Sequence, residues 1–253
     1  MNTTIYGCFF TWDHWALFLI LFTAHLSADF LFQSDSDVER KSETSVFLKH
    51  IIAVGVITYV LAGLWSAWLL PVLVAAAHAL LDAAKRRWGN DRPLWFWLDQ
   101  SAHLAVLAAL ASTITYPADH TILWVLLFGH LWWHMLVVAA GVLVSVFAGG
   151  VVIGLWARPF LVEVKKEGGD VRLRGLERGG KTIGRLERAM ILVLVLIGQP
   201  GGVAFLIAAK SIFRFGELSD RQNRMEAEYI TIGTLMSFTW GFVVAWLTQY
   251  LLL

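Results

Sequence analysis

Cysteine is nearly absent from this chain of 253 residues, which has only Cys8. One thiol excludes an intramolecular disulfide framework and a thiolate metal cluster. Lysine and arginine are absent before Arg40. The N-terminus therefore lacks the positive region of a cleavable signal peptide, and we expect the first apolar segment to be retained as a helix. The net charge of only +1 gives no reason to expect a nucleic-acid partner.

Apolar residues, by contrast, are abundant. Hydrophobic side chains make up 58% of the chain, 13 residues are tryptophan and the mean hydropathy is +0.65, which is too apolar for a soluble domain of this size. The composition predicts an all-α protein, a polytopic transmembrane helical bundle with membrane lipids as its surroundings. Apolar stretches of roughly 20 residues, enough to cross about 30 Å of hydrocarbon, fall at residues 13–33, 47–64, 66–85, 95–116, 133–157 and 230–252.

Basic residues cluster on alternate loops between these stretches, at 40–49, 85–92 and 158–188. The positive-inside rule places such loops in the cytoplasm. We therefore predict a multi-pass protein of the bacterial inner membrane with its N-terminus outside. Residues 120–132, rich in tryptophan, predict a separate interfacial helix near the outer headgroups.

A seventh apolar segment, 187–208, is interrupted by the run Gly198–Gly202. Each arm of about 10 residues is too short to span the membrane at about 1.5 Å per residue. We therefore favour a re-entrant hairpin that returns to the cytoplasm, and an ordinary kinked span remains the alternative.

The soluble parts are short. Residues 161–173 predict a cytoplasmic β-hairpin, and 209–229 an amphipathic helix on the inner surface. The resulting division is a five-helix membrane domain (1–157), a hairpin and linker (158–186), and a region with the re-entrant hairpin, the interfacial helix and the last transmembrane helix (187–253).

Histidine and aspartate recur four residues apart within three apolar stretches, as His25 with Asp29, His78 with Asp82 and Asp99 with His103. That spacing places both members of a pair on one face of a helix. The third pair has the inverted order on a helix of opposite direction, so all three pairs share one depth: the aspartates about 5–7 Å, and the histidines about 10–13 Å, from the cytoplasmic helix ends. Ionisable groups within a membrane indicate a functional site.

Three imidazoles and three carboxylates suit one or two divalent ions, with zinc favoured and manganese or iron as alternatives. We predict all six residues as metal ligands, and assign a catalytic role to Asp29, Asp82 and Asp99, since a carboxylate can also orient an imidazole or move a proton. The alternatives are packing hydrogen bonds and a proton or ion relay that uses the same groups.

Neighbouring polar residues suggest a substrate site. Lys85 and Arg86 are candidates to bind an anionic headgroup, although residues 85–87 also fit a positive-inside anchor. Gln33 and Gln100 are candidates to position water or substrate.

The other histidines are predicted to lie outside the site. We expect His14, His50 and His120 to be solvated at helix ends, and His130 with His134 to form interfacial hydrogen bonds. In the C-terminal region, one of Glu187, Lys210 and Glu228 is a candidate to cap the cavity below the pairs.

The segments 24–33, 78–85 and 98–103 resemble a family of bacterial multi-spanning membrane proteins catalogued only as a domain of unknown function. The segments 184–188, 209–212 and 228–235 resemble its longer members. That resemblance implies no activity. More remotely, the spacing is similar to that of membrane-bound metal-dependent hydrolases of bacteria.

The leading hypothesis is therefore a metal-dependent hydrolase that acts at the cytoplasmic leaflet on an ester or phosphoester of a lipid-linked or amphiphilic substrate. A proton-coupled ion or anion transporter is the second hypothesis. A regulatory or assembly protein with a structural metal is the third.

Overall fold

The computed structural model describes residues 12–40, 43–89, 92–114, 123–166, 179–215 and 224–253. Throughout those ranges the regular secondary structure is helical, without strands, as the predicted all-α class requires. The chain divides into two compact units, residues 1–140 and 141–253.

The first unit contains α1 (Trp12–Leu26), which continues as a π-helical turn (Ser27–Leu31), α2 (Asp35–Glu39), α3 (Thr44–Ala62), α4 (Leu69–Trp88), α5 (Pro93–Thr113), α6 (Leu123–Phe128) and most of α7 (Leu131–Val142). The second unit contains a further π-helical turn (Leu143–Ala148), α8 (Gly149–Lys166), α9 (Gly179–Leu196), α10 (Gly202–Phe215) and α11 (Arg224–Leu251).

Five helical segments in the described residues are long and apolar enough to cross a membrane: His14–Leu31, Thr44–Ala62, Pro93–Thr113, Leu131–Val164 and Met225–Leu251. They confirm the prediction of a membrane protein with transmembrane helices. Helix α4 corresponds to the predicted stretch 66–85 and has 20 residues, but it is not among the five. Its sequence carries Asp82, Lys85 and Arg86 within that length, which lowers its hydropathy.

In the first unit, α1, α3, α4 and α5 form a closed four-helix arrangement, because α1 packs on α3 and α5, and α4 packs on the same two helices. The buried residues of three of these helices recur every fourth position: Val46, His50, Val54, Thr58 and Ala62 on α3; Leu70, Val74, His78 and Asp82 on α4; and Asp99, His103, Leu107 and Ala111 on α5. A period of four keeps these side chains on one helix face. Polar and apolar residues therefore share one inward stripe.

The interfacial helix predicted at 120–132 corresponds to α6, which is separate from α7. Gly129, between them, has a φ of +58°, a left-handed conformation that glycine adopts without steric cost. The nearby Trp124 donates its indole N–H to the carbonyl of Val60 at 2.7 Å, which fixes α6 beside the end of α3. The position of α6 at the outer headgroups stays a prediction.

The break at Gly198–Gly202 is confirmed as the turn of a helical hairpin. Gly198 has a φ of +75°, and α10 then folds back along α9, since Lys210 Nζ lies 2.6 Å from Glu187 Oε1. A kinked span would carry these two side chains away from each other. Whether the hairpin re-enters the membrane stays a prediction.

Two predictions for the soluble parts are wrong. Residues 161–166, expected in a β-strand, are the last turns of α8, because the helix continues through Pro159 and the charged residues after it. The rest of that hairpin lies outside the described residues. Residues 209–215 belong to α10, which begins at Gly202, so the predicted helix does not begin at residue 209. Residues 224–229 belong to α11, and 216–223 lie outside the described residues.

Candidate metal centre

All three His/Asp pairs meet inside the four-helix arrangement, together with a seventh residue, His50. The members are His25 and Asp29 from α1 and its π turn, His50 from α3, His78 and Asp82 from α4, and Asp99 and His103 from α5. Their side chains are only 2–9% exposed. The predicted convergence of the pairs is therefore present, in the interior of the unit.

The π-helical turn Ser27–Leu31 carries Asp29. A π turn inserts one extra residue into the helical repeat and frequently marks a functional site. Its start is held by the Ser27 side chain, whose Oγ donates to the carbonyl of Thr23 at 2.7 Å. Its end is held by a backbone hydrogen bond from Phe32 N–H to the carbonyl of Ser27 at 2.9 Å. The local backbone thus changes the direction in which Asp29 points.

The prediction that His50 is solvated at a helix end is wrong. It is 6% exposed, and its Nε2 lies 3.0 Å from His78 Nε2 and 3.4 Å from Asp29 Oδ1. The sequence did indicate that His50 is buried, because His50 falls on the period-four stripe that runs from Val46 to Ala62. Its distance from any acidic residue in the sequence obscured that signal.

Four atoms form the first candidate ligand set, which we call the four-ligand set: Asp29 Oδ1, His50 Nε2, His78 Nε2 and Asp82 Oδ2. The separations His50–His78, Asp29–His50, Asp29–His78, His50–Asp82 and His78–Asp82 are 3.0, 3.4, 3.4, 3.8 and 3.8 Å. A tetrahedral zinc ion with bonds of about 2.0–2.1 Å requires ligand separations of about 3.3–3.4 Å. These five separations bracket that value, and they include every pair of the set except Asp29 Oδ1 with Asp82 Oδ2.

A second candidate set, the three-ligand set, contains Asp82, Asp99 and His103, whose ligand atoms lie within 4.8 Å of one another. His103 Nδ1 lies 2.8 Å from the backbone carbonyl of Asp99. Since a carbonyl only accepts, Nδ1 carries the proton and Nε2 keeps its lone pair. That tautomer is the one a metal ligand needs, and the contact is of the kind that orients metal-binding histidines.

His25 is oriented in a similar way. Its Nε2 lies 3.4 Å from Gln100 Oε1, while the Gln100 amide donates to Asp99 Oδ2 at 3.1 Å, which directs the amide oxygen towards the imidazole. His25 Nδ1 then keeps its lone pair, 3.9 Å from Asp29 Oδ1. His25, Asp29 and His78 form a third group with ligand atoms within 4.8 Å, so His25 adjoins the four-ligand set.

Several buried atoms of the cluster make no hydrogen bond within the described part of the chain: Asp29 Oδ1, Asp99 Oδ1, His25 Nδ1 and His103 Nε2. All four are ligand atoms in the groups above. A buried polar atom without a partner costs about 1–3 kcal/mol, and a carboxylate costs more. A divalent cation would satisfy these electron pairs together, so the residues present fit a metal ion of the nitrogen and oxygen type.

The predicted substrate residues around the cluster have different partners. Lys85 Nζ donates to Asp99 Oδ2 at 2.7 Å, and Gln100 donates to the same oxygen. Both therefore hold Asp99 and leave its Oδ1 towards the cluster. Arg86 lies over the Phe47 ring, with its guanidinium carbon 4.7 Å from the ring centroid.

Gln33 lies apart from the ligand atoms, in a small pocket that His50 also lines. Asp37 and Lys49 line the same pocket, and they pair at 3.2 Å. The Ser34 hydroxyl and backbone N–H, followed by Lys49, hold the pKa of Asp37 at about 2, so this carboxylate is ionised at neutral pH. The Gln33 amide nitrogen is buried without a hydrogen bond in the described residues.

The remaining candidates lie elsewhere. His130 and His134 are exposed and contact each other, with ring centroids 5.9 Å apart; their interfacial location stays a prediction. His14 is half-buried near the start of α1, and His120 lies outside the described residues. Glu187 and Lys210 pair with each other, and a capping role for them or for Glu228 stays a prediction.

Comparison with known proteins gives a family match over part of the chain and no activity. Residues 17–128 match the model of a family described as a protein of unknown function, DUF3307. The matched region contains all seven residues of the cluster, and residues 129–253, including the tail segments of the predicted resemblance, lie outside it. No curated protein and no solved structure matches the chain.

Proposed function

We propose that this protein is a metal-dependent membrane hydrolase of an ester or phosphoester in a lipid-linked or amphiphilic substrate. The observation that carries the proposal is the sharing of Asp82 between the four-ligand set and the three-ligand set. With Asp82 in both sets, these residues would hold two neighbouring ions, as two-metal hydrolases do. Zinc is the preferred ion, with manganese or iron as alternatives.

The two sets contain different numbers of protein ligands, four and three, and we assign them different roles for that reason. Four protein ligands complete a tetrahedral shell, as in structural zinc sites, whereas three leave a position for water or substrate, as in catalytic ones. We assign the reaction to the side of Asp82, Asp99 and His103. Bound divalent ions would supply a hydroxide nucleophile near neutral pH and stabilise negative charge on a phosphoryl or carbonyl oxygen.

Lys85 and Gln100 act as positioning residues for Asp99. Both donate to Asp99 Oδ2, which fixes the carboxylate rotamer and presents Oδ1 to the cluster. Lys85 is 33% exposed at its side chain, whereas Asp99 is only 5% exposed. Lys85 therefore connects the surface to the buried ligand, and a substrate anion would approach the three-ligand set beside it.

A direct test compares turnover with metal content in detergent-purified protein. The substrates are p-nitrophenyl phosphate, p-nitrophenyl butyrate and short-chain phosphatidic acid, each assayed with zinc, manganese or iron(II). Lys85→Met should retain the metal and lose at least about tenfold in kcat/KM, because a misplaced ligand disturbs the reacting geometry. The matched control is Lys49→Met, whose lysine is 67% exposed and pairs with Asp37, and it should keep wild-type turnover. Metal-loaded wild-type protein that hydrolyses none of the substrates, nor an extended panel of lipid esters, would refute the proposal.

A proton-coupled ion or anion transporter is the second candidate, because the imidazoles form a contiguous buried group. Ring centroids of His78 and His103 are 4.3 Å apart, and those of His25 and His103 are 4.9 Å apart. Buried imidazoles and carboxylates that lie next to one another in space can pass protons across a membrane. Proteoliposomes that take up zinc or phosphate only under a pH gradient, without hydrolysis, would favour this candidate. Tight metal binding with neither activity would indicate a structural metal.

We also propose that the protein lies in a bacterial inner membrane with its N-terminus outside and the cluster towards the cytoplasmic leaflet. The basic residues 85–87 at the end of α4 support this orientation. A membrane-impermeant maleimide applied to spheroplasts should label Cys8, the single native cysteine. The control Cys8→Ser/Trp88→Cys should react only after lysis, since Trp88 is 69% exposed at the opposite, cytoplasmic end. The reverse labelling pattern would invert the topology.

A further inference from the structure

The second unit contains a buried arginine, Arg188, which is 3% exposed. Its Nε donates to the carbonyl of Ser145 at 2.7 Å, its Nη2 to the carbonyl of Val146 at 2.9 Å, and its Nη1 to Ser237 Oγ at 2.9 Å. The two carbonyls belong to the π-helical turn Leu143–Ala148, where the helical repeat is interrupted. Arg188 thus supplies donors to backbone groups that need them within a membrane.

Arg188 contacts the central parts of two apolar helical segments, where a charged side chain is energetically unfavourable. Ser145 lies near the middle of the apolar segment Leu131–Val164, and Ser237 near the middle of Met225–Leu251. No carboxylate forms an ion pair with Arg188 in the part of the chain that the structure describes. Carbonyl and hydroxyl dipoles stabilise a cation without neutralising it, and such a residue in a membrane points to a ligand or ion pathway.

The guanidinium of Arg188 has N–H groups left that could bind a ligand. A guanidinium has five N–H groups, and three are used, so one N–H remains on each of Nη1 and Nη2. Glycines border both nitrogens: a Cβ added at Gly184 would lie 3.1 Å from Nη1, and one added at Gly150 would lie 3.3 Å from Nη2. Both nitrogens therefore lie beside backbone that carries no side chain. Ser145, completely buried, also has a hydroxyl without a hydrogen bond in the described residues.

We propose that Arg188 is the centre of a binding site for a small monovalent anion, of the size of chloride or nitrate. The anion would accept the two remaining N–H groups and neutralise the guanidinium. Because Arg188 is only 3% exposed and two N–H groups remain, a small anion from solution fits this site better than a bulky lipid phosphate. The site is independent of the His/Asp cluster and of the proposed hydrolysis.

The test measures the Tm of full-length protein in detergent while chloride or nitrate replaces gluconate at constant ionic strength. Wild-type protein should melt at higher temperature as either small anion increases, because a ligand that binds only the folded state stabilises it. Gly184→Ala and Gly150→Ala should reduce the shift at least several-fold. Their matched controls are Gly180→Ala on α9 and Gly154→Ala on α8, where an added Cβ has no atom within 4 Å, and these should keep the full shift.

Each outcome decides the proposal. A wild-type Tm that does not respond to either anion would overturn it, and Arg188 would then serve only the carbonyls of the π turn. An equal shift in the two pairs of glycine variants would also overturn it, because the anion would then act elsewhere. Metal content should stay at the wild-type level in all four variants, so that failure here is distinguishable from failure of the hydrolase proposal.

Discussion

Asp82→Ala should lower the metal content of purified protein from about two ions per chain to at most one. Asp82 is shared by both ligand sets, and its side chain is only 2% exposed. Its removal leaves Asp29, His50 and His78 on one side and Asp99 and His103 on the other, and each remnant has one ligand fewer. His103→Ala should remove about one ion, because it belongs to the three-ligand set alone. Elemental analysis after gel filtration measures both.

Two controls accompany this experiment. Asp37→Ala removes a carboxylate outside the ligand groups, and His130→Ala removes an exposed histidine; both should keep about two ions. Circular dichroism and a monodisperse elution profile establish that Asp82→Ala remains folded. A folded Asp82→Ala protein with undiminished metal would remove the shared-ligand arrangement, and with it the main support for a two-metal reaction.

His50→Ala should lower the metal content to about one ion per chain and spare the three-ligand set. His50 contributes the closest separation in the cluster, 3.0 Å to His78 Nε2, and without it the four-ligand set loses a member of its tetrahedral shell. We also expect turnover to fall at least about tenfold, since His78 and Asp82 lose the ion that holds them. Metal analysis and the hydrolysis assay on one preparation measure the two effects.

The matched comparison is His134→Ala, which removes a histidine that is exposed and distant from the ligand groups. It should retain both ions and full turnover. If His50 behaved as a solvated helix-end residue, its variant would match His134→Ala in both measurements. That result would move the proposed ion from the four-ligand set to the group of His25, Asp29 and His78.

The pairwise spacing within α1, α4 and α5 was enough to predict six of the seven cluster residues, because positions four apart share a helix face whatever the helix packs against. In the third pair, Asp99 precedes His103 on a helix of opposite direction. That inverted order was enough to predict that all three pairs lie at one depth. Such reasoning is local, and it fails where a residue has no partner on its own helix. His50 is that case, since its contacts with Asp29 and His78 cross between helices.

Contacts between helices also decided the roles of polar neighbours. Lys85 was a candidate for an anionic substrate, yet its ammonium group binds Asp99 from the next helix. Arg188 had no assigned role, because its partners Ser145 and Ser237 are more than 40 positions away in either direction. In both cases a long side chain donates to an acceptor on a neighbouring helix. The sequence does not show which helix packs beside it.

The sequence by itself determined that this is a helical membrane protein, where most of its apolar segments lie, that a glycine turn interrupts the seventh of them, and that three His/Asp pairs face the protein interior. These properties depend on hydropathy, length and helical period, which are local. Only the tertiary structure decided that His50 joins the cluster, that Asp82 is shared between two ligand sets, and that residues 161–166 are helical. The reason is that ligand geometry depends on atoms from four helices, whose relative rotation is fixed by packing and not by any one segment.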